Sequence, residues 1–242
     1  MRRRVGIIVP FDCAMDHEYW KWAPPAITLL LTRTPYVGGA VTLEMVSAVS
    51  DLDAVGDAVR RLVKVEPEAV AYACTSGSFV NGLAGETAIR KAILSHGAAV
   101  AVTTSGAMLE ALGSLGARKV AVATPYAANI GEKLVDFLKE AGLQPVSLVN
   151  LSKESSADIY DLAAGELDLL AEAAFRPEAD ALFISCTNLE SFSEIARLEA
   201  RFSIPVLTAN QVTMWALLRA PGIPLGSSTP APSSARKCGP SW

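Results

Sequence analysis

Ala71-Tyr72-Ala73-Cys74-Thr75-Ser76-Gly77-Ser78 closes an apolar run that starts at Ala69 with the Cys74 thiol and the Thr75 and Ser76 hydroxyls. A short continuous apolar run reads as a strand buried on both faces of a parallel sheet. The small and polar residues after it read as the opening of a helix. A second copy follows in the other half of the chain, where Leu182-Phe183-Ile184-Ser185-Cys186-Thr187-Asn188 again delivers a Cys-Thr pair from a hydrophobic strand. Two cysteines in matched contexts suggest a facing pair of acid/base or nucleophilic groups.

The pattern around these copies extends the repeat. Arg3-Arg4-Val5-Gly6-Ile7-Ile8-Val9-Pro10-Phe11 is paralleled by Arg118-Lys119-Val120-Ala121-Val122-Ala123-Thr124-Pro125-Tyr126, down to the proline and the aromatic residue. The strand ending in Thr103 is matched by Ile204-Pro205-Val206-Leu207-Thr208. Landmarks recurring in the same order indicate a duplicated α/β unit. Strands are expected at 5–9, 27–32, 69–73, 98–102, 118–124, 145–151 and 204–208, and at the run into Cys186. Helices are expected at 18–22, 53–63, 82–95, 108–115, 130–141 and 158–175, the last as one long helix. Residues 41–46 read as either strand or short helix.

The resulting expectation is an α/β protein of two pseudo-symmetric parallel-sheet domains, Rossmann-like, with the site in the cleft between them. Residues 1–103 plus 209–225 are expected to form the first domain and 104–208 the second. The Pro- and Ser-rich stretch 226–242 is expected to be a loose tail.

Composition narrows the partners. The 242 residues are 51% hydrophobic and 19% charged, with a net charge of -4 from interspersed acids and bases. No basic stripe argues for nucleic acid, and no apolar run reaches membrane-spanning length. Arg2-Arg3-Arg4 before an apolar segment superficially resembles a secretory signal, but the segment is short and stops at Pro10, with Asp12, Asp16 and Glu18 behind it. Four cysteines without close spacing fit a reduced, cytoplasmic protein better than a disulfide framework. Apolar helices are consistent with a homo-oligomer.

In parallel sheets, ligands bind beyond the carboxyl ends of the strands, where Cys74 and Cys186 both lie. A helix start after each cysteine would lower its thiol pKa and offer N–H groups to an anion. Thr75, Ser76, Tyr126, Thr187 and Asn188 are neutral donors suited to carboxylate oxygens, so the chemistry points to a small carboxylate. His17 and His96 are the only histidines. His96 reads as a helix cap and His17, between two acids, as an exposed helix start. No metal-ligand cluster or phosphate loop is present in the sequence, and no cofactor is expected. Cys13 and Cys238 read as small hydrophobes, and Trp20, Trp22 and Trp215 as packing or interface residues.

At Ile7-Val9-Pro10, Cys74-Thr75-Ser76, Thr124-Pro125-Tyr126, Ser185-Cys186 and Ala209-Asn210-Gln211, the chain resembles the aspartate/glutamate racemase superfamily. It is most similar to the maleate isomerase and arylmalonate decarboxylase branch, over roughly residues 5–222. The resemblance implies a cofactor-independent enzyme in which Cys74 adds to the double bond of maleate to give a succinyl-cysteine-like intermediate. Cys186 then exchanges the proton, while Thr75, Ser76, Tyr126 and Thr187 hold carboxylates. It also implies alternatives: an amino-acid racemase using both cysteines, a decarboxylase, whose relatives keep only the later cysteine, or a non-catalytic binding homologue. Phe11-Asp12 with Trp20-Lys21-Trp22 resembles the ectoine-utilisation members, whose substrate would be an amino-acid derivative. Asp12 would repel a second substrate carboxylate and could bind an ammonium group, or it could cap the following helix.

Overall fold

The computed structural model describes residues 3–224. The expectations for 226–242 and for Cys238 lie outside the described residues. The first half runs β1 (Arg3–Val9), α1 (Asp16–Trp22), β2 (Ile27–Arg33), α2 (Leu43–Val49), α3 (Leu52–Leu62), a 3-10 turn (Val63–Val65), β3 (Val70–Tyr72), α4 (Thr75–Phe79), α5 (Gly82–Ser95), β4 (Ala101–Thr103) and α6 (Thr104–Leu115). The second runs β5 (Lys119–Thr124), α7 (Ala128–Glu140), β6 (Gln144–Asn150), α8 (Ser156–Tyr160), α9 (Ala164–Ala174), β7 (Ala181–Ile184), α10 (Ile195–Phe202), β8 (Val206–Thr208) and α11 (Ala209–Arg219).

Each half carries a four-stranded, all-parallel sheet, in the orders β2-β1-β3-β4 and β6-β5-β7-β8. The two orders are the same pattern, so the duplication read from sequence is a duplication of topology. The central strands are fully buried runs such as Val5–Val9 and Val120–Ala123, as expected where helices cover both faces. The repeat reaches the caps. Thr103 and Thr208 share φ −122 and ψ 154, and each side chain accepts a hydrogen bond from the third residue on, Gly106 N at 3.0 Å and Gln211 N at 3.4 Å. The helices that these threonines start, α6 and α11, pack against each other, and α11 also touches α1, β3 and β4. The two halves are thereby joined through a helix from each.

One ambiguity is resolved and two expectations are corrected. The ambiguous stretch at 41–46 leads into helix α2, because Thr42 caps it, accepting from Met45 N at 3.2 Å. The long helix at 158–175 is two helices. Ala163 is extended (φ −66, ψ 147), and its N–H donates to Glu166 Oε2 at 3.2 Å, restarting the chain as α9. The apolar spacing continues across the break from Ile159 to Leu167 and Leu170, which hides it from a periodicity reading. Finally, no helix begins after Cys186. Turns occupy the chain until α10 starts at Ile195.

Candidate active site

Strands β1, β3, β5 and β7 are the middle strands of their sheets, and the loops leaving their carboxyl ends meet at one cavity. Cys74 enters it from β3 and Cys186 from β7, so one thiol comes from each half. Both are buried, at 4% and 8% exposure. Thr75, Ser76, Tyr126, Thr187, Asn188 and Asp12 also line the cavity, so the structure brings all eight sequence-predicted residues together. A ninth was missed. Cys13, read as a packing residue, lines the same cavity. Its nearness to Asp12 was the available signal.

The first thiol sits at the N-cap of α4 and accepts from Gly77 N at 3.3 Å, with Ser76 Oγ 3.9 Å away. Gly77 is required by this close approach: a Cβ there would collide with the Tyr72 hydroxyl and lie 3.1 Å from Cys74 Sγ. Tyr72 itself donates to Val49 O at 2.8 Å. The expected depression of the thiol pKa by a helix start does not hold. Burial dominates and pushes Cys74 up to about 11, with the Asp12 carboxylate adding to the rise, while the Gly77 N–H, Ser76 and Tyr72 work against it.

At Cys186 the helix is absent altogether, and burial pushes the thiol up to about 12. The Tyr126 hydroxyl and the Asn188 N–H, 3.4 Å from Sγ, oppose that rise by donating to the sulfur, while the Cys74 and Asp12 charges reinforce it. Cys186 also has φ +114, a conformation that side chains other than glycine rarely adopt. Such a residue costs on the order of 1–3 kcal/mol and persists only where its surroundings enforce it. Cys13 is likewise pushed up to about 12 by burial.

Polar capacity in the cavity is unevenly committed. Thr75 Oγ1 is buried and meets no partner among the described residues, which leaves it free for a ligand oxygen. The Asn188 amide, expected to hold substrate, is engaged instead: its Oδ1 accepts from Ala14 N at 2.8 Å and its Nδ2 donates to Ser156 O at 3.4 Å. Asp12 does not cap α1, whose N-cap Met15 makes no side-chain cap bond; it accepts a hydrogen bond from Ser156 Oγ. No Lys, Arg or His lines the cavity among the described residues.

The opposite wall is apolar, formed by Val41, Met45, Val46, Val49 and Ile159. The break between α8 and α9 turns Ile159 toward this wall while α9 packs on β5 and β6. The histidines stand apart. His96 is the C-cap of α5, with Nδ1 2.8 Å from Ala92 O, and His17 pairs with Glu190 at 3.7 Å. No group of three or more His, Cys, Asp or Glu side chains that could hold a metal ion occurs among the described residues. No described helix is long and apolar enough to cross a membrane.

Comparison with known proteins identifies the family and the fold. A family model described as arylmalonate decarboxylase matches residues 38–231. Arylmalonate decarboxylase of Bordetella bronchiseptica is 32% identical over 186 residues, covering 76% of this chain and 77% of the relative. Maleate isomerase of Nocardia farcinica is 28% identical over 173 residues, covering 69% of each. Among solved structures, a liganded mutant of arylmalonate decarboxylase, with one glycine changed to cysteine and one cysteine to serine, superposes with a TM-score of 0.83. It is 29% identical, and the match covers 91% of this chain and 93% of that one. The fold is also that of a Nocardia farcinica maleate cis-trans isomerase mutant carrying a covalently bound succinylcysteine intermediate, with a TM-score of 0.82 at 24% identity, covering 92% of this chain and 94% of that one. The chain belongs to the arylmalonate decarboxylase family, in the branch of the aspartate/glutamate racemase superfamily that also holds the maleate isomerases.

Proposed function

We propose that the chain is an isomerase of a small carboxylate, working through Cys74 and Cys186 with no group beyond its own side chains, and most like the maleate cis-trans isomerases. The observation that carries this reading is one thiol from each half in a single buried cavity, beside an unpartnered Thr75 hydroxyl. In the cis-trans reaction the Cys74 thiolate adds to one alkene carbon, and the π pair moves to the other, where the Cys186 S–H delivers its proton. The bond between the two carbons is then single and rotates. Cys186 takes a proton back, and the C–S bond breaks to release the trans acid and regenerate the Cys74 thiolate. Thr75 and Ser76 hold the carboxylate whose charge grows in this sequence, while the single Tyr126 O–H proton serves the Cys186 sulfur.

Asp12 favours a second reading, amino-acid racemisation. Its carboxylate disfavours both thiolates, and no cation among the cavity-lining residues balances it. A substrate ammonium group would supply that balance. One thiolate would then remove the α proton from one face while the other thiol supplied a proton to the opposite face.

Proton NMR in D2O separates the readings. Fumarate formed from maleate establishes cis-trans isomerisation. Deuterium entering an α position with loss of optical rotation establishes racemisation, and loss of carbon dioxide from a malonate establishes the decarboxylase alternative. For the isomerase, Cys74→Ser and Cys186→Ser each lower kcat at least 100-fold; full activity in Cys186→Ser would refute the two-thiol mechanism.

A further inference from the structure

Glu18, expected at an exposed helix start, is fully buried. It lies outside the cavity lining, and nothing in the chemistry above uses it. Its Oε1 accepts from Ser191 N at 2.8 Å, Ser191 Oγ at 2.9 Å and Phe192 N at 2.6 Å, and its Oε2 accepts from Asn210 Nδ2. That same Asn210 nitrogen donates to Thr187 O at 3.1 Å and reaches Leu189 O at 3.5 Å. All three partners of Nδ2 are acceptors, so the amide has one usable orientation, and its Oδ1 is left with no partner among the described residues. One carboxylate from α1 thus ties down, directly or through α11, the chain from Thr187 to Phe192 that leaves Cys186. This is the segment that follows the residue at φ +114. A conformation that cysteine does not adopt freely needs such an anchor.

We propose that Glu18 is a positioning residue for Cys186, holding the Thr187–Phe192 turn through Asn210 so that the strained thiol stays directed into the cavity. The catalytic part of this assignment rests on the proton-exchange role proposed for Cys186; the geometric part does not. Glu18→Gln is the sharp perturbation because it keeps shape and the Oε1 acceptor but sets an NH2 group against Asn210 Nδ2. Two donors cannot pair. If Asn210 turns over to present Oδ1, Thr187 O and Leu189 O lose their donor.

The test is alkylation with iodoacetamide, each thiol quantified by peptide mass spectrometry in the same sample, with circular dichroism and melting as folding controls. In Glu18→Gln the labelling of Cys186 relative to Cys74 rises at least threefold, because the released turn lets Cys186 relax outward. Asn210→Ala, which frees the same two carbonyls without placing a new group beside them, moves the ratio in the same direction and serves if Glu18→Gln does not fold. With a substrate in hand, kcat falls at least tenfold and KM stays within twofold. A ratio unchanged in a folded variant, or both thiols becoming reactive together, overturns the proposal. Labelling needs no turnover, so activity surviving in Cys186→Ser would refute the catalytic reading and leave the positioning result standing.

Discussion

Tyr126→Phe removes a single hydroxyl that donates to the Cys186 sulfur while leaving the ring that packs near Phe79, 6.3 Å between centroids. Burial holds both thiols well above assay pH, Cys74 at about 11 and Cys186 at about 12, so each reacts through a small thiolate fraction that grows with pH. A hydrogen bond to a charged group is worth about 1.5–3 kcal/mol, which is about one to two further pKa units for Cys186. Its thiolate fraction at pH 9 therefore falls a further ~10- to 100-fold, while that of Cys74 is unchanged to first order. The assay is iodoacetamide labelling between pH 7 and 10.5, read thiol by thiol. Both rates climb about tenfold per pH unit, and Tyr126→Phe lowers the Cys186 rate relative to Cys74 at least tenfold. An unaltered Cys186 rate in the variant would refute this account of the site.

Other substitutions probe the remaining parts. Asp12→Asn lowers the pH at which both thiols become reactive, since the Asp12 charge raises both, and lowers KM for any dicarboxylate several-fold. A KM that does not move would show that this carboxylate does not face the substrate. Gly77→Ala forces a methyl group against Tyr72 and Cys74, an overpacking expected to cost about 1–3 kcal/mol and to lower Tm by a few degrees for a chain of this size. Its Cys74 labelling profile also shifts to higher pH as the Gly77 N–H moves off the sulfur. A variant with wild-type melting and labelling would mean that the turn has room that the structure does not show.

The sheets were legible in the sequence because their strands are buried on both faces, so Val5–Val9 and Val120–Ala123 appear as unbroken apolar runs. The matched prolines, cysteines and threonines then gave the pairing of halves, and eight of the cavity residues followed from strand ends. What escaped depended on contacts distant in sequence. The helix break at Ala163 is hidden because apolar periodicity persists through it, and only the Glu166 bond to the Ala163 N–H marks the restart. Glu18 looked solvated beside Asp16, since its four donors come from residues near positions 190 and 210. The thiol pKa shifts went the other way from the helix-start argument because burial outweighs a few N–H groups, and no local pattern reports burial of a side chain at a strand end.

The pairing of α6 with α11 has a consequence for how activity is lost. Each half supplies one thiol to the cavity, and the halves are docked through that helix pair and through the packing of α7 on α4 and α5. On the proposed two-thiol mechanism, neither half-chain alone turns substrate over, however well folded. Turnover is therefore a gauge of docking: under denaturant it should vanish at the loosening of the two halves, even where the helical signal of each persists.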